Sequence, residues 1–90
     1  MRWRVELSGE AEKQLSKFPR DVRDRIEHAI DEFEAKDESK WSNVKALQGS
    51  EWKGRFRKKV GPYRIIFRKL HHSAVVQISA ILIKAKDTYR

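Results

Sequence analysis

The sequence predicts an α+β fold, in which a small, mostly antiparallel sheet carries an N-terminal two-helix hairpin on one face. Three patterns indicate this fold. Apolar and charged residues alternate at the N-terminus, apolar residues recur at helical spacing up to residue 33, and cations alternate with apolar residues between positions 52 and 68. We expect the 90 residues to form a single domain, 1–90, that ends in a short helix or tail.

The first half of the chain predicts a strand and two helices. Trp3, Val5 and Leu7 alternate with charged residues, as in a half-buried strand. Ser8 is a good N-cap for the first helix, which should end at Phe18 because Pro19 disfavours helical geometry in the residue before it. Pro19 then suits the start of the second helix. The apolar positions of that helix form one stripe: Val22, Ile26, Ala29, Ile30 and Phe33.

The second half predicts an antiparallel sheet after a polar loop at 37–43. Residues 52–68 form a hairpin around a turn at Val60-Gly61-Pro62, with Lys53, Arg55 and Arg57 expected on the solvated face and Trp52, Gly54 and Phe56 on the packed face. A turn at 70–73 leads into a strand over 74–83, which is apolar on both faces and therefore central.

The charge is unevenly distributed. Residues 1–45 contain ten Lys/Arg and eleven Asp/Glu, whereas residues 46–90 contain eleven Lys/Arg and two Asp/Glu, a net charge of +9. Such a surface favours a phosphate-rich polymer as the partner. The chain has no cysteine, its N-terminus does not read as a signal peptide, and its longest apolar run is too short for a membrane helix, so we expect a cytoplasmic protein without membrane contact.

Metal-dependent chemistry is not predicted. His71 and His72 are adjacent, His28 is distant on a helix, and the basic half offers no carboxylate pair. Lys, Arg and Tyr suffice for one reaction class. RNA carries its own nucleophile, the 2′-hydroxyl, so a nuclease without metal or other cofactor need only orient it, remove its proton, neutralise the phosphorane and protonate the leaving oxygen.

The order and spacing of several short motifs resemble the RelE/ParE toxins of bacterial toxin–antitoxin modules. These motifs are Ala46-Leu-Gln-Gly49, Trp52-Lys-Gly-Arg-Phe-Arg57, Gly61-Pro-Tyr-Arg-Ile-Ile-Phe67 and the tail Lys84-Ala-Lys-Asp-Thr-Tyr-Arg90. The resemblance implies a basic cleft on the sheet face opposite the helices. It also implies an antitoxin similar to RelB that wraps the toxin in a hetero-oligomer. RelE-like members cleave mRNA on the ribosome without metal, whereas ParE-like members poison DNA gyrase.

The motif matches favour the RelE-like activity and imply roles for individual residues. Lys53 matches a lysine of the base apparatus, and Arg55 falls where RelE has a second lysine. Arg64 matches the arginine that stabilises the transition-state phosphate, and Tyr89 matches the C-terminal tyrosine that stacks on or orients the substrate base. The remaining cations are expected to bind RNA: Arg57, Lys58, Lys84 and Lys86.

One position departs from the RelE-like pattern, because Ala85 stands where the resemblance implies a catalytic arginine. Three explanations are open. Lys84 or Lys86 performs the role, the protein is a natural non-nuclease, or the alanine replaces an arginine so that a toxic chain can be produced. Tyr89 also has a simpler interpretation, as an aromatic residue that covers the core.

The sequence-based hypothesis is therefore a metal-independent, ribosome-dependent mRNA endonuclease, in a form whose activity Ala85 reduces. Two alternatives stay open: a gyrase-binding toxin similar to ParE, and an RNA-binding module without catalysis.

Overall fold

Two helices lie on one face of a five-stranded sheet in the structure, a computed structural model that describes residues 2–83. The sheet order is β1-β5-β4-β3-β2; β1 and β5 run parallel, and the other pairs are antiparallel. This confirms the α+β prediction of an antiparallel-rich sheet with a helical hairpin. The elements are β1 Arg4–Leu7, α1 Gly9–Lys17, α2 Arg20–Ala35, β2 Val44–Ala46, β3 Phe56–Val60, β4 Tyr63–Leu70 and β5 Val75–Ile83.

The predicted helix boundaries are confirmed by the local hydrogen bonds. Ser8 caps α1, because its side-chain oxygen accepts a hydrogen bond from the backbone N–H of Ala11 at 3.1 Å. The same hydroxyl donates to the Ser79 carbonyl of β5 at 3.0 Å and so ties the helix start to the sheet. Phe18 and Pro19 separate the helices, and Pro19 occupies the N-cap position of α2.

The core lies between the helices and one face of the sheet. Ile26, Ile30 and Phe33 of α2 pack against Ile65 and Phe67 of β4, and all five are buried. The Phe33 and Phe67 rings meet at a centroid distance of 4.8 Å. This packing leaves the opposite face of the sheet free of both helices, and we call it the open face.

Three features differ from the prediction. The short edge strand β2 was not foreseen, and neither was the burial of Trp41, which lies in the loop predicted to be polar. The predicted hairpin also begins later than residue 52. Residues 50–52 form a 3₁₀ turn, Gly54 has a φ of +77°, and the strand starts only at Phe56, so Lys53 does not take part in the strand alternation.

None of the helices within residues 2–83 combines the length and the apolar character that a bilayer crossing requires.

Candidate nucleic-acid interface

Side-chain alternation along β4 distinguishes the two faces of the sheet. Ile65 and Phe67 belong to the core cluster, so Arg64, Ile66 and Arg68 project from the open face. Ile66 is buried and yet is not part of that cluster, as this assignment requires. The pairing register then identifies the open-face residues of the neighbouring strands.

The open face is strongly basic. Its cations are distributed over four strands, and its only acid among the described residues of the five strands is Glu6, on β1. The Glu6 carboxylate already pairs with Arg4, at 3.6 Å. Residues that pair across the ladders with open-face residues such as Arg64, Ile66 and Gln77 lie on the open face as well, and alternation gives the rest. The open-face cations of the described strands are then Arg4, Lys45, Arg57, Lys59, Arg64 and Arg68.

Arg64 is the most unusual of these cations because its side chain is buried, with 4% of its surface exposed. Its Nη1 donates to the carbonyl oxygens of Gly61, at 2.9 Å, and Tyr63, at 3.0 Å. Within residues 2–83 no carboxylate lies within 4.0 Å of it. A guanidinium removed from water without an anionic partner is costly, so an anion that reached Arg64 would be bound favourably.

Arg57 lies diagonally across from Arg64 on the open face. It pairs with Ile66, two positions along β4 from Arg64, a relationship that brings long side chains within reach of one another. Arg57 Nη1 donates to the Asn43 carbonyl at 3.0 Å, which anchors the side chain and leaves its other N–H groups available to a ligand. The structure therefore places two of the predicted site residues on the same face, at diagonal positions of neighbouring strands.

Arg55 and Lys53 precede β3 at the far end of this face. The Leu47 N–H donates to the Arg55 carbonyl at 3.0 Å, so Arg55 continues the β2–β3 ladder and the alternation set by Arg57. Lys53 is exposed and follows the 3₁₀ turn. Arg55 lies about 13 Å along the strand from the position opposite Arg64, so its backbone is not beside Arg64.

The position of Lys58 does not match its predicted role in RNA binding. Lys58 is 3% exposed and projects from the helix-covered face, between Arg57 and Lys59, which face the other way. Its ammonium pairs with the Glu32 carboxylate of α2 and donates to the Ser42 carbonyl at 2.7 Å. Lys58 is thus committed to the contact between α2 and β3.

The Glu32 carboxylate is held ionised by this contact. Burial by itself raises the pKa of Glu32, but hydrogen bonds from Lys58 and the Ser42 backbone, together with the charge of Lys58, outweigh it. The pKa falls from its ordinary value of 4.5 to about 2. The contacts among Glu32, Ser42 and Lys58 therefore stabilise the fold, and they lie away from the open face.

A groove of about 750 Å³ lies on the helix side of the sheet, between α2 and the β2–β3 edge. Its lining mixes acids such as Asp24 and Asp31 with cations such as Arg25 and Lys36, so it lacks the single charge sign that suits a polyanion. Across the described part of the chain, no group of three or more His, Cys, Asp or Glu side chains could hold a metal ion.

Four predicted site residues lie outside the described residues: Lys84, Ala85, Lys86 and Tyr89. Their roles stay predictions based on the family resemblance.

Solved structures show the same fold in RelE toxins. The archaeal RelE–RelB complex from Pyrococcus horikoshii matches with a TM-score of 0.76 and 21% identity, over 96% of this chain and 99% of that one. The toxin–antitoxin complex RelBE2 from Mycobacterium tuberculosis matches with a TM-score of 0.70 and 23% identity, over 93% of this chain and 100% of that one. A mutant of E. coli RelE in the free state, with two arginines replaced by alanine, matches with a TM-score of 0.70 and 17% identity. The match covers 98% of this chain and 88% of that one.

These structures show that the chain has the fold of the RelE toxins, a two-helix layer on a five-stranded sheet. The chain belongs to the family described as ParE toxin of type II toxin–antitoxin system, parDE, whose model matches residues 5–88. Among curated proteins, no sequence matches the chain.

Proposed function

We propose that this toxin is a metal-independent endoribonuclease that cuts mRNA on the ribosome. The observation that carries the proposal is the buried guanidinium of Arg64, which faces the open side of a cationic sheet without a carboxylate partner among residues 2–83. A scissile phosphate would supply the missing negative charge, and that charge grows as the phosphorane forms.

The proposed reaction uses the 2′-hydroxyl of the RNA as nucleophile. Its oxygen bonds to the adjacent phosphorus, its proton passes to a base, and the bond from phosphorus to the 5′-oxygen breaks. The products are a 2′,3′-cyclic phosphate and a 5′-hydroxyl, which receives a proton. Metal is not required, because positioned cations can neutralise the phosphorane.

We assign roles to the candidate residues on this scheme. Arg64 and Arg57 bind the scissile phosphate, Lys53 belongs to the base apparatus, and Arg55 holds the neighbouring backbone. Tyr89 stacks on or orients a base. Lys84 and Lys86 bind RNA around Ala85, and the alanine removes a phosphate ligand and so lowers the cleavage rate.

A RelB-like antitoxin is the proposed partner, in a hetero-oligomer. The support is that several structures with this fold were solved as RelB–RelE complexes, among them those from Pyrococcus horikoshii and Methanococcus jannaschii. We propose the cytoplasm as the location, since ribosomes and mRNA are found there.

A second candidate function is the inhibition of DNA gyrase. The observation that favours it is the family match, which is to ParE toxins, together with the missing arginine at Ala85. The two functions separate in one experiment, in which the chain is added to translating ribosomes and, in parallel, to a gyrase supercoiling assay. Cuts in mRNA at the ribosomal A site support the nuclease; inhibited supercoiling without cuts supports the gyrase toxin.

A further inference from the structure

The open face carries a second pair of arginines, away from Arg64. Arg68 is exposed, and it follows Arg64 and Ile66 in the alternation of β4. Its partner across the ladder in β5 is Gln77, a neutral residue. None of the sequence motifs that resemble the RelE/ParE toxins includes Arg68.

Extending the register of β3 and β4 by one residue would put Arg55 opposite Arg68. The β3–β4 ladder ends with Phe56 opposite Phe67, and Arg55 and Arg68 are the next residue of each chain segment beyond that pair. Neighbouring strands are about 5 Å apart, and like charges directly opposite one another on the same face are destabilising. The repulsion between two guanidinium groups at this separation would be reduced by an anion bound between them.

No described acid relieves this repulsion. Within residues 2–83, neither Arg55 nor Arg68 has a carboxylate within 4.0 Å. Glu6 is the acid in the same row, opposite Gln77 on β1, but it lies two strand spacings, about 10 Å, from Arg68 and pairs with Arg4.

We infer that Arg55 and Arg68 together bind a second phosphate of the RNA chain, with the Gln77 amide beside it as a neutral donor. Arg68 lies four residues from Arg64 on the same face, about 13 Å along the strand, which is too far for both to hold one phosphate. The inference rests on the proposed function and adds a backbone-binding subsite to it. This subsite would fix the register of the RNA without contributing to the bond-breaking step.

The test measures the affinity of the full chain, as written, for a labelled single-stranded RNA oligonucleotide over a range of salt concentrations. Arg68→Gln should weaken binding roughly five- to tenfold at about 0.1 M salt and reduce the slope of log affinity against log salt by about 0.7. The matched control is Arg20→Gln, which removes the same charge from an exposed position on α2, and it should leave both quantities unchanged.

A double-mutant cycle tests whether the two arginines share one phosphate. The losses of affinity from Arg55→Gln and Arg68→Gln should not add, whereas Arg20→Gln should leave the loss from Arg68→Gln unchanged. Additive losses from Arg55→Gln and Arg68→Gln would overturn the shared subsite.

The outcomes separate this inference from the nuclease proposal. Unchanged RNA affinity and salt slope in Arg68→Gln would overturn the subsite, even if ribosomal cleavage were observed. Weaker binding in Arg68→Gln, with no ribosomal cleavage by the chain either as written or as Ala85→Arg, would support the subsite and contradict the nuclease. An absence of salt-dependent RNA binding by the unmodified chain would overturn the subsite as well.

Discussion

The ammonium of Lys58, in the basic strand β3, forms an ion pair with the carboxylate of Glu32 of α2 on the helix-covered face of the sheet. The residues on either side, Arg57 and Lys59, face the opposite way. The fold thus sorts adjacent cations into one that secures α2 against β3 and two that are presented on the open face.

The Glu32–Lys58 pair predicts a loss of stability in acid. The pKa of Glu32 is about 2 in the folded chain and close to 4.5 when unfolded, so the folded state favours the ionised carboxylate. Its contribution to the free energy of unfolding is complete above about pH 4.5 and decreases as the pH falls from there toward 2. We expect a contribution on the order of 2 kcal/mol, measured as the difference between urea unfolding at pH 6 and at pH 3. Glu32→Gln should lack this component, and an equal pH dependence in this variant would contradict the assignment.

The same pair predicts an asymmetry between single and double substitutions. Glu32→Gln leaves the Lys58 ammonium buried without its carboxylate, so unfolding at neutral pH should become easier by about 3 kcal/mol. Adding Lys58→Met removes the buried charge and should restore most of that loss. Glu27→Gln, at an exposed position of α2, is the control and should change stability by less than about 0.5 kcal/mol. Purely additive losses would argue against the pair.

Arg64 is predicted to serve function at the expense of stability. Because its buried guanidinium meets only the Gly61 and Tyr63 carbonyls among described acceptors, Arg64→Met should leave the free energy of unfolding unchanged or raise it by about 1 kcal/mol. Phosphate binding and mRNA cleavage should be lost in the same variant. Thermal unfolding and ribosomal cleavage assays measure the two effects. A large destabilisation would show that Arg64 is needed for the fold.

The antitoxin is predicted to present an acidic or amphipathic segment to the toxin. Residues 46–90 carry a net charge of +9, so complementary charge should contribute to the affinity. We expect the affinity of toxin for antitoxin to weaken as salt is raised from 0.05 to about 0.5 M, by calorimetry or surface binding. An affinity independent of salt would remove the electrostatic part of this prediction.

The sequence predicted the elements with strong local signals. Ser8 and Phe18-Pro19 delimit α1 and α2 through capping and proline geometry, which depend on neighbouring residues only. The strand β2 could not be predicted in this way, because its three residues are too few for an alternation to be recognised. It is held by pairing with β3, which is more distant in sequence, as in Val44 opposite Lys58.

The site was predictable in part. Because successive residues of a strand face opposite ways, Lys58 lies on the same face as Phe56, which was predicted to be packed. The helix-covered position of Lys58 could therefore have been inferred from the alternation alone. Its partner Glu32 could not, since the two residues are 26 positions apart. The burial of Arg64 and the inferred juxtaposition of Arg55 with Arg68 depend on strand register, which a single sequence does not reveal.

Cleavage of mRNA on translating ribosomes, with position 85 as alanine and as arginine, tests the central claim most directly. Arginine at this position would offer a planar, permanently charged donor to the scissile phosphate, and such transition-state contacts contribute about 2.7–4 kcal/mol. We predict weak cleavage by the chain as written and a rise of about a hundred- to a thousand-fold in Ala85→Arg, abolished by adding Lys53→Ala or Arg64→Ala. Equal cleavage by both forms would show that Lys84 or Lys86 suffices. No cleavage by either form, together with inhibited gyrase supercoiling, would contradict the nuclease assignment.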